Sequence, residues 1–115
     1  MIHGQKTNKL SRERNVRNAL LKTLAVSLIR EGKIKTTEAK AKTLKPIVEK
    51  LVTKAKIGDL SAQRFITSKI GPTSTKKLIN TIAIKYKERN GGYLRIIKLN
   101  DRKNDSAKIV LLEFV

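Results

Sequence analysis

The spacing of apolar residues predicts helices over most of the chain. The first helix is expected to begin at Ser11, a residue type that commonly caps helices, and to end before Gly32. Its apolar face follows three- and four-residue spacing, with small polar residues at two sites. The residues of this predicted face are Val16, Ala19, Leu20, Thr23, Leu24, Ser27 and Leu28.

The second helix has the most regular apolar pattern in the sequence. Thr37 is its predicted cap, and Gly58 and Asp59 end it. Pro46 is expected to kink or split this helix, because proline removes a backbone donor. Its predicted buried face consists of Leu44, Ile47, Val48, Leu51, Val52 and Ala55.

Two further helices are predicted after the second one. The first covers residues 60–69 and is broken by Gly71-Pro72. The next begins at Thr73 or Ser74 and continues to the turn at Asn90-Gly91-Gly92. The predicted buried residues of the two helices are Phe65, Ile66, Ile70, Leu78, Ile79, Ile82, Ala83 and Tyr86.

Three short segments have the composition of strands. Residues 33–36 predict an edge strand, and residues 93–99 and 107–115 predict an antiparallel hairpin joined by the polar loop 100–106. Because two strands alone are marginally stable in water, helices must cover one face of the hairpin. The sequence therefore predicts a two-layer α+β domain over residues 11–115, in which helices cover a small mixed sheet. Residues 1–10 lack periodicity and are interpreted as an extended basic arm.

Composition adds a strong preference for a polyanion. The chain has 115 residues, enough for one small domain, and 39% of them are hydrophobic, which permits a core. Lysine and arginine number 27 against 9 acidic residues, so the formal net charge is +18. This net charge is far larger than solubility requires, and the basic side chains repel one another unless phosphates neutralise them.

Several functional classes lack the residues they need. The chain has no cysteine and one histidine, which excludes disulfides, thiol nucleophiles and a histidine metal cluster. It has no glycine-rich phosphate loop, no usable Ser-His-Asp set and no carboxylate pair, so it is interpreted as a non-enzyme without a cofactor. Its apolar runs fall short of the roughly 20 residues of a spanning helix, and no secretory pattern is present, so a cytoplasmic location is expected.

Basic residues cluster near the start of the sequence. The chain has only two tyrosines and two phenylalanines, so few aromatic rings are available for unpaired bases to stack on. Contacts to the phosphates of a folded nucleic acid are therefore favoured. Arginines at the start of the first helix oppose its macrodipole, which indicates that they serve an external anion. Lys50 and Lys54 are interpreted as a solvated face, and Tyr93 is left open between packing and stacking. The candidate cluster is Lys6, Lys9, Arg12, Arg14 and Arg17, with His3 left open between RNA contact and an unbound terminus.

One stretch of the sequence, with matches elsewhere, resembles a known family. The stretch contains Ile34-Lys35-Thr36-Thr37, Lys40-Ala41-Lys42, Glu49, Leu51-Val52-Thr53 and Ala55-Lys56. Further matches are Met1, His3, Leu10, Arg12, Arg17, Ala19, Gly91-Gly92-Tyr93, Arg95-Ile96, Asp105, Ala107 and Glu113. Together these residues resemble the bacterial large-subunit ribosomal protein L17 family, over the whole chain and without an insertion in the signature.

The resemblance implies a structural role in the ribosome. It implies a constituent of the large subunit that is seated on large-subunit ribosomal RNA (rRNA) toward the exit-tunnel side. It also implies contact with the neighbouring small ribosomal protein L32, and no membrane or small-molecule substrate.

Charge density and the signature together suggest a mode of RNA binding. The arm is expected to thread between RNA helices with His3, Lys6 and Lys9 near phosphates, while Arg12, Arg14 and Arg17 lay the first helix on the backbone. A second contact is expected at the strand-to-helix turn, where amides at a helix N-terminus favour an anion. The residues of this second contact are Lys35, Thr36, Lys40 and Lys42, with Arg95 on the hairpin as a further candidate.

Two other functions remain open from composition. A nucleoid-type DNA-binding protein has the same charge, because phosphate binding does not distinguish duplexes. The basic helix over residues 12–31 also has the charge of a membrane-surface helix, although its apolar side has no Trp or Phe.

Overall fold

The computed structural model of the chain describes residues 13–99 and 108–115. Its class is α+β, as the sequence predicts. The elements are helix α1 (Arg14–Glu31), strand β1 (Lys33–Thr37), helix α2 (Glu38–Ile57), helix α3 (Leu60–Lys77), a π-helical segment (Leu78–Ile82), the short helix α4 (Ala83–Lys85) and strands β2 (Leu94–Lys98) and β3 (Ile109–Phe114). The predicted arm, the cap at Ser11 and the loop 100–106 lie outside the described residues.

The sheet has three strands in the order β1-β3-β2. Strand β3 pairs antiparallel with both neighbours, so that Leu112 lies opposite Ile34 on one side and Ile96 on the other. The hairpin and the third strand are confirmed, but the sheet is antiparallel throughout and not mixed. Strands β1 and β2 do run in the same direction, but β3 lies between them and prevents a parallel pair.

Helix α2 provides the centre of the core. It packs against α1, α3 and all three strands. Of its predicted buried face only Ile47 is exposed, with 40% of its surface accessible. The helix is continuous through Pro46, so the predicted split does not occur. Pro46 and Lys42 are both exposed, so the Lys42 carbonyl that loses its hydrogen-bond donor lies on the solvent side of the helix.

Helix α1 buries a stripe that coincides with the predicted one only in part, at the fully buried Leu28 and at Leu24, which packs against the core. Ala25, Leu28 and Ile29 are buried, whereas Val16 is 52% exposed. Two overlapping apolar stripes have helical spacing here, and the observed one also brings Leu21 against the core. The first turns of α1 therefore contribute little to the core. Among the described residues, no helix is both long and apolar enough to cross a membrane.

The predicted break after the third helix is present as a kink. Gly71 has φ 83° and ψ 167°, so α3 consists of two helical pieces. The buried Thr75 hydroxyl donates to the Gly71 carbonyl oxygen over 2.6 Å, a hydrogen bond that joins the kink residue to the first turn of the second piece. A residue with a side chain is strained at this φ, which explains the glycine.

Polar side chains of α2 fix the start of β2. The Glu49 carboxylate accepts a hydrogen bond from the Leu94 backbone N–H over 3.2 Å. The Lys56 ammonium donates to the Tyr93 hydroxyl over 3.0 Å and to the Arg89 carbonyl oxygen. Tyr93 is 1% exposed, so its role is packing. Burial raises the pKa of its phenol, but hydrogen bonding, chiefly from Lys56, and the Lys56 charge outweigh burial, so this pKa lies below its ordinary value.

Truncation of the α2 core stripe should destabilise the protein strongly. Leu44 has no exposed surface, so Leu44→Ala is expected to lower the free energy of unfolding by about 2–5 kcal/mol. Urea denaturation followed by circular dichroism measures the loss. Ile47→Ala on the same predicted face is the control and should cost less than half as much, because Ile47 is exposed. Equal losses would contradict the observed orientation of α2.

The contact between Lys56 and Tyr93 should be energetically coupled. Tyr93→Phe is expected to cost about 1 kcal/mol, because it removes a buried hydrogen bond. With Lys56→Met the two substitutions should cost less together than the sum of the single losses, by at least about 0.5 kcal/mol in the same unfolding assay. The control is a matched double-mutant cycle in which Lys45→Met takes the place of Lys56→Met. In this cycle the losses in free energy of unfolding from Lys45→Met and Tyr93→Phe should add. Additivity in both cycles would show that the contact does not stabilise the fold.

Candidate nucleic-acid interface

The start of helix α1 carries positive charge that no acidic residue of its first turn offsets. Arg14 and Arg17 lie in that turn, with Arg14 exposed and Arg17 half-buried. Glu13 is the N-cap, but its side chain makes no capping bond. No ion pair in the described part of the chain involves either arginine. Because the N-terminal amides add their own partial positive charge, this end of α1 is suited to a phosphate.

The other residues predicted for this contact precede the described residues. His3, Lys6, Lys9 and Arg12 all belong to the segment 1–12. Arg14 is the second described residue, so the predicted arm leads directly into the basic end of α1. The part that this segment plays stays a prediction.

Strand β1 separates two of the predicted contact residues. Lys35 is exposed and lies opposite Leu111, whereas Thr36 is half-buried and lies opposite the fully buried Val110. Successive strand residues point to opposite faces, and the face of Thr36 is the one covered by helices. Lys35 and Thr36 therefore do not share a surface.

The start of α2 is largely neutralised by its own residues. The Thr37 hydroxyl accepts from the Lys40 N–H over 3.4 Å, and the Glu38 N–H donates to the Lys108 carbonyl oxygen over 2.9 Å. The Glu38 carboxylate lies in the first turn and pairs with the Lys42 ammonium over 3.5 Å. Two amides are thus occupied and a carboxylate is already present, which makes this helix end less favourable for an external anion than the start of α1.

Arg95 on β2 is also paired within the fold. It lies opposite Glu113 on β3, and its Nε and Nη2 atoms both donate to the same Glu113 carboxylate oxygen, over 3.1 and 2.6 Å. The arginine remains more than half exposed. It forms a cross-strand ion pair and has donors left for a further contact.

A cluster that the sequence interpretation missed surrounds Phe65 on α3. The ammonium groups of Lys50, Lys54 and Lys69 lie 5.8, 5.0 and 5.5 Å from the centre of its ring. The sequence pattern alone assigns Lys50 and Lys54 to a solvated face. Their four-residue spacing, and that of Phe65 and Lys69, does place each pair on one helix face. Which face of α2 meets which face of α3 is a tertiary property that this spacing does not encode.

The Phe65 cluster borders an open groove between α1, α2 and α3, the α1–α2–α3 groove, of about 650 Å³. Its apolar lining includes Leu21, Ile47 and Phe65, and its basic lining consists of Lys22, Lys50 and Lys69. Asn18 and Ser68 add neutral polar groups. None of the lining residues within the described part of the chain is acidic.

Comparison with known proteins matches the sequence to one family. The model of the family described as Ribosomal protein L17 matches residues 20–115. The chain is 49% identical to the large ribosomal subunit protein bL17 of Akkermansia muciniphila, in an alignment that covers 100% of this chain and 85% of the relative. It is 45% identical to bL17 of Campylobacter jejuni (100% and 99% covered) and 48% identical to bL17 of a Sulfurovum species (100% of both). The chain therefore belongs to the ribosomal protein L17 family, as its signature indicated.

Proposed function

We propose that this chain binds large-subunit (23S) rRNA mainly through contacts to the phosphate backbone and helps to hold rRNA helices together. As a member of its family it is a structural protein of the large ribosomal subunit and not an enzyme, and it works in the bacterial cytoplasm. The observation that carries the proposed mode of binding is the start of α1, where Arg14 and Arg17 lie beside helix amides that the side chain of the N-cap residue Glu13 does not cap.

The charge balance of the fold supports a polyanionic partner. The formal net charge is +18, and the described residues contain three ion pairs. All three involve an exposed basic side chain, and such pairs contribute little to stability. Most basic side chains in residues 13–99 and 108–115 therefore have no carboxylate of these residues as a counter-charge, and binding to RNA phosphates relieves their mutual repulsion.

The proposed contact residues differ in whether their side chains are already engaged within the fold. His3, Lys6, Lys9 and Arg12 are proposed to extend the contact that begins at Arg14 and Arg17. At the strand-to-helix turn the proposal rests on Lys35 and Lys40, because Thr36 faces the covered side of the sheet. Lys42 and Arg95 are proposed as secondary contacts, since each shares its charge with a carboxylate.

We also propose that a neighbouring ribosomal protein contacts the outer face of the sheet. Lys35, Leu111 and Ile97 lie in register across the three strands, and Ile97 is 38% exposed. Leu99, which follows β2, is 37% exposed, and its backbone N–H donates a hydrogen bond to the Ile109 carbonyl oxygen. The exposed apolar side chains on this face suit contact with a protein. The family resemblance makes ribosomal protein L32 the expected neighbour.

Preference for rRNA over DNA tests the proposed function. The purified chain should bind large-subunit rRNA more tightly than duplex DNA at matched salt, and the affinity for rRNA should fall steeply as salt increases. Filter binding at several potassium chloride concentrations measures both quantities. Equal affinities for the two nucleic acids would favour a nucleoid-type DNA-binding protein, and an affinity that is independent of salt would contradict binding through phosphates.

Removal of the two α1 arginines should lower the salt dependence. Arg14→Gln with Arg17→Gln is expected to reduce the slope of log affinity against log salt by about one for each phosphate that is no longer neutralised. The control is Lys76→Gln with Lys87→Gln, which removes the same charge from exposed positions elsewhere. The control should change the slope less. Equal slopes for the two double variants would mean that the start of α1 is not a preferred contact.

A further inference from the structure

We infer that the α1–α2–α3 groove is an additional RNA site that takes an unpaired stretch of rRNA. In this site, phosphates lie among the ammonium groups around Phe65, and a sugar or base lies against the apolar lining. The inference rests on the proposed function, and it assigns RNA contact to the groove as well as to the arm, the start of α1 and the strand-to-helix turn.

Three ammonium groups surround one ring, and the residues that the structure describes on the groove wall carry no counter-charge. The ammonium groups of Lys50, Lys54 and Lys69 all lie within 6 Å of the Phe65 ring centre. Two of these lysines are exposed and Lys54 is half-buried, so the attraction to the aromatic ring is weak, while the three charges repel one another. Because none of the described lining residues of the groove is acidic, an external anion can relieve this repulsion.

The apolar lining distinguishes this site from a simple basic patch. Ile47 is 40% exposed although it lies beside the fully buried Val48 on the α2 stripe, and it lines the groove with Leu21 and the half-buried Phe65. A phosphate alone gains nothing from apolar side chains. A nucleotide has both an anionic and an aromatic part, and a volume of about 650 Å³ lies within the usual range for ligand sites.

An unpaired nucleotide fits the groove better than a paired one. Bases in an RNA duplex are stacked and their faces are inaccessible, whereas bases in loops and bulges can lie against aromatic and apolar side chains. Asn18 and Ser68 at the groove supply groups that can hydrogen-bond a base edge or a ribose 2′-hydroxyl.

The groove also continues the proposed RNA path. Asn18 and Lys22 lie one turn and two turns beyond Arg14 on α1. A strand that contacts the start of α1 can therefore follow the helix into the groove. The first twelve residues of the chain carry three basic and no acidic side chains, so charge argues against them as the occupant.

Crosslinking in assembled subunits identifies the occupant. A benzophenone side chain placed at Ser68, an exposed residue that lines the groove, should crosslink to 23S rRNA in intact large subunits after irradiation. Crosslinks only to another ribosomal protein would overturn the inference in favour of an acidic protein segment. Crosslinks only within this chain would overturn it in favour of its own N-terminal residues.

Salt dependence tests the same site in the purified chain. Lys50→Gln, Lys54→Gln and Lys69→Gln together should reduce the salt slope of rRNA binding by about two, at roughly 0.7 per single-strand phosphate contact. The matched control is Lys76→Gln, Lys87→Gln and Lys98→Gln, which removes equal charge from exposed positions outside the groove. Circular dichroism before binding shows whether each variant is folded.

The two proposals fail in different ways. Absence of salt-dependent rRNA binding by the unmodified chain would overturn the proposed function. Normal binding by the unmodified chain, with the same slope for the groove and control triple variants, would overturn only the groove site. Phe65→Leu keeps every charge, so it should leave the slope unchanged and weaken binding several-fold; full affinity in this variant would contradict the contact with the apolar lining.

Discussion

The burial of one face of helix α2 is the interaction on which the rest of the structure depends. Six residues of this helix are buried, and α1, α3 and the sheet all pack around it. A three-stranded sheet of five or six residues per strand has little stability of its own, and α2 covers it. The same helix fixes the start of β2 through Glu49 and Lys56. Its Lys50 and Lys54 side chains lie at Phe65, so a single helix joins the core to a basic surface.

The sequence predicted those features of the fold that have a local cause. Thr37 caps α2, and Gly71 interrupts α3, because each residue type acts on its own backbone. Other features depend on which elements meet. The order of strands depends on β3 lying between two strands that are distant in sequence. The buried side of α1 depends on which of two overlapping apolar stripes faces the core. Neither choice is encoded in the spacing of residues within one element.

The sequence identified which residues are basic, but it did not show which of them share a surface or are paired within the fold. The two helix starts both carry basic residues, but Thr37 and Glu38 occupy and neutralise the start of α2, whereas the side chain of the N-cap residue Glu13 makes no capping bond at the start of α1. Arg95 is paired with a glutamate that lies 18 positions later in the sequence. Several residues that carry the family signature, Glu49 and Lys56 with Tyr93, hold the fold together. A sequence motif can therefore identify an RNA-binding family through residues that stabilise the fold.

The central position of β3 has a consequence for the order of folding. Residue 33 of β1 pairs with residue 113, so this pairing joins positions that are far apart in the chain, and contacts of this kind form slowly. During synthesis, β1 and β2 are both complete before either has its partner. The helices have only local hydrogen bonds to make and can form earlier. The closing of the sheet, which brings residue 33 against residue 113, is therefore expected to be a late step in folding.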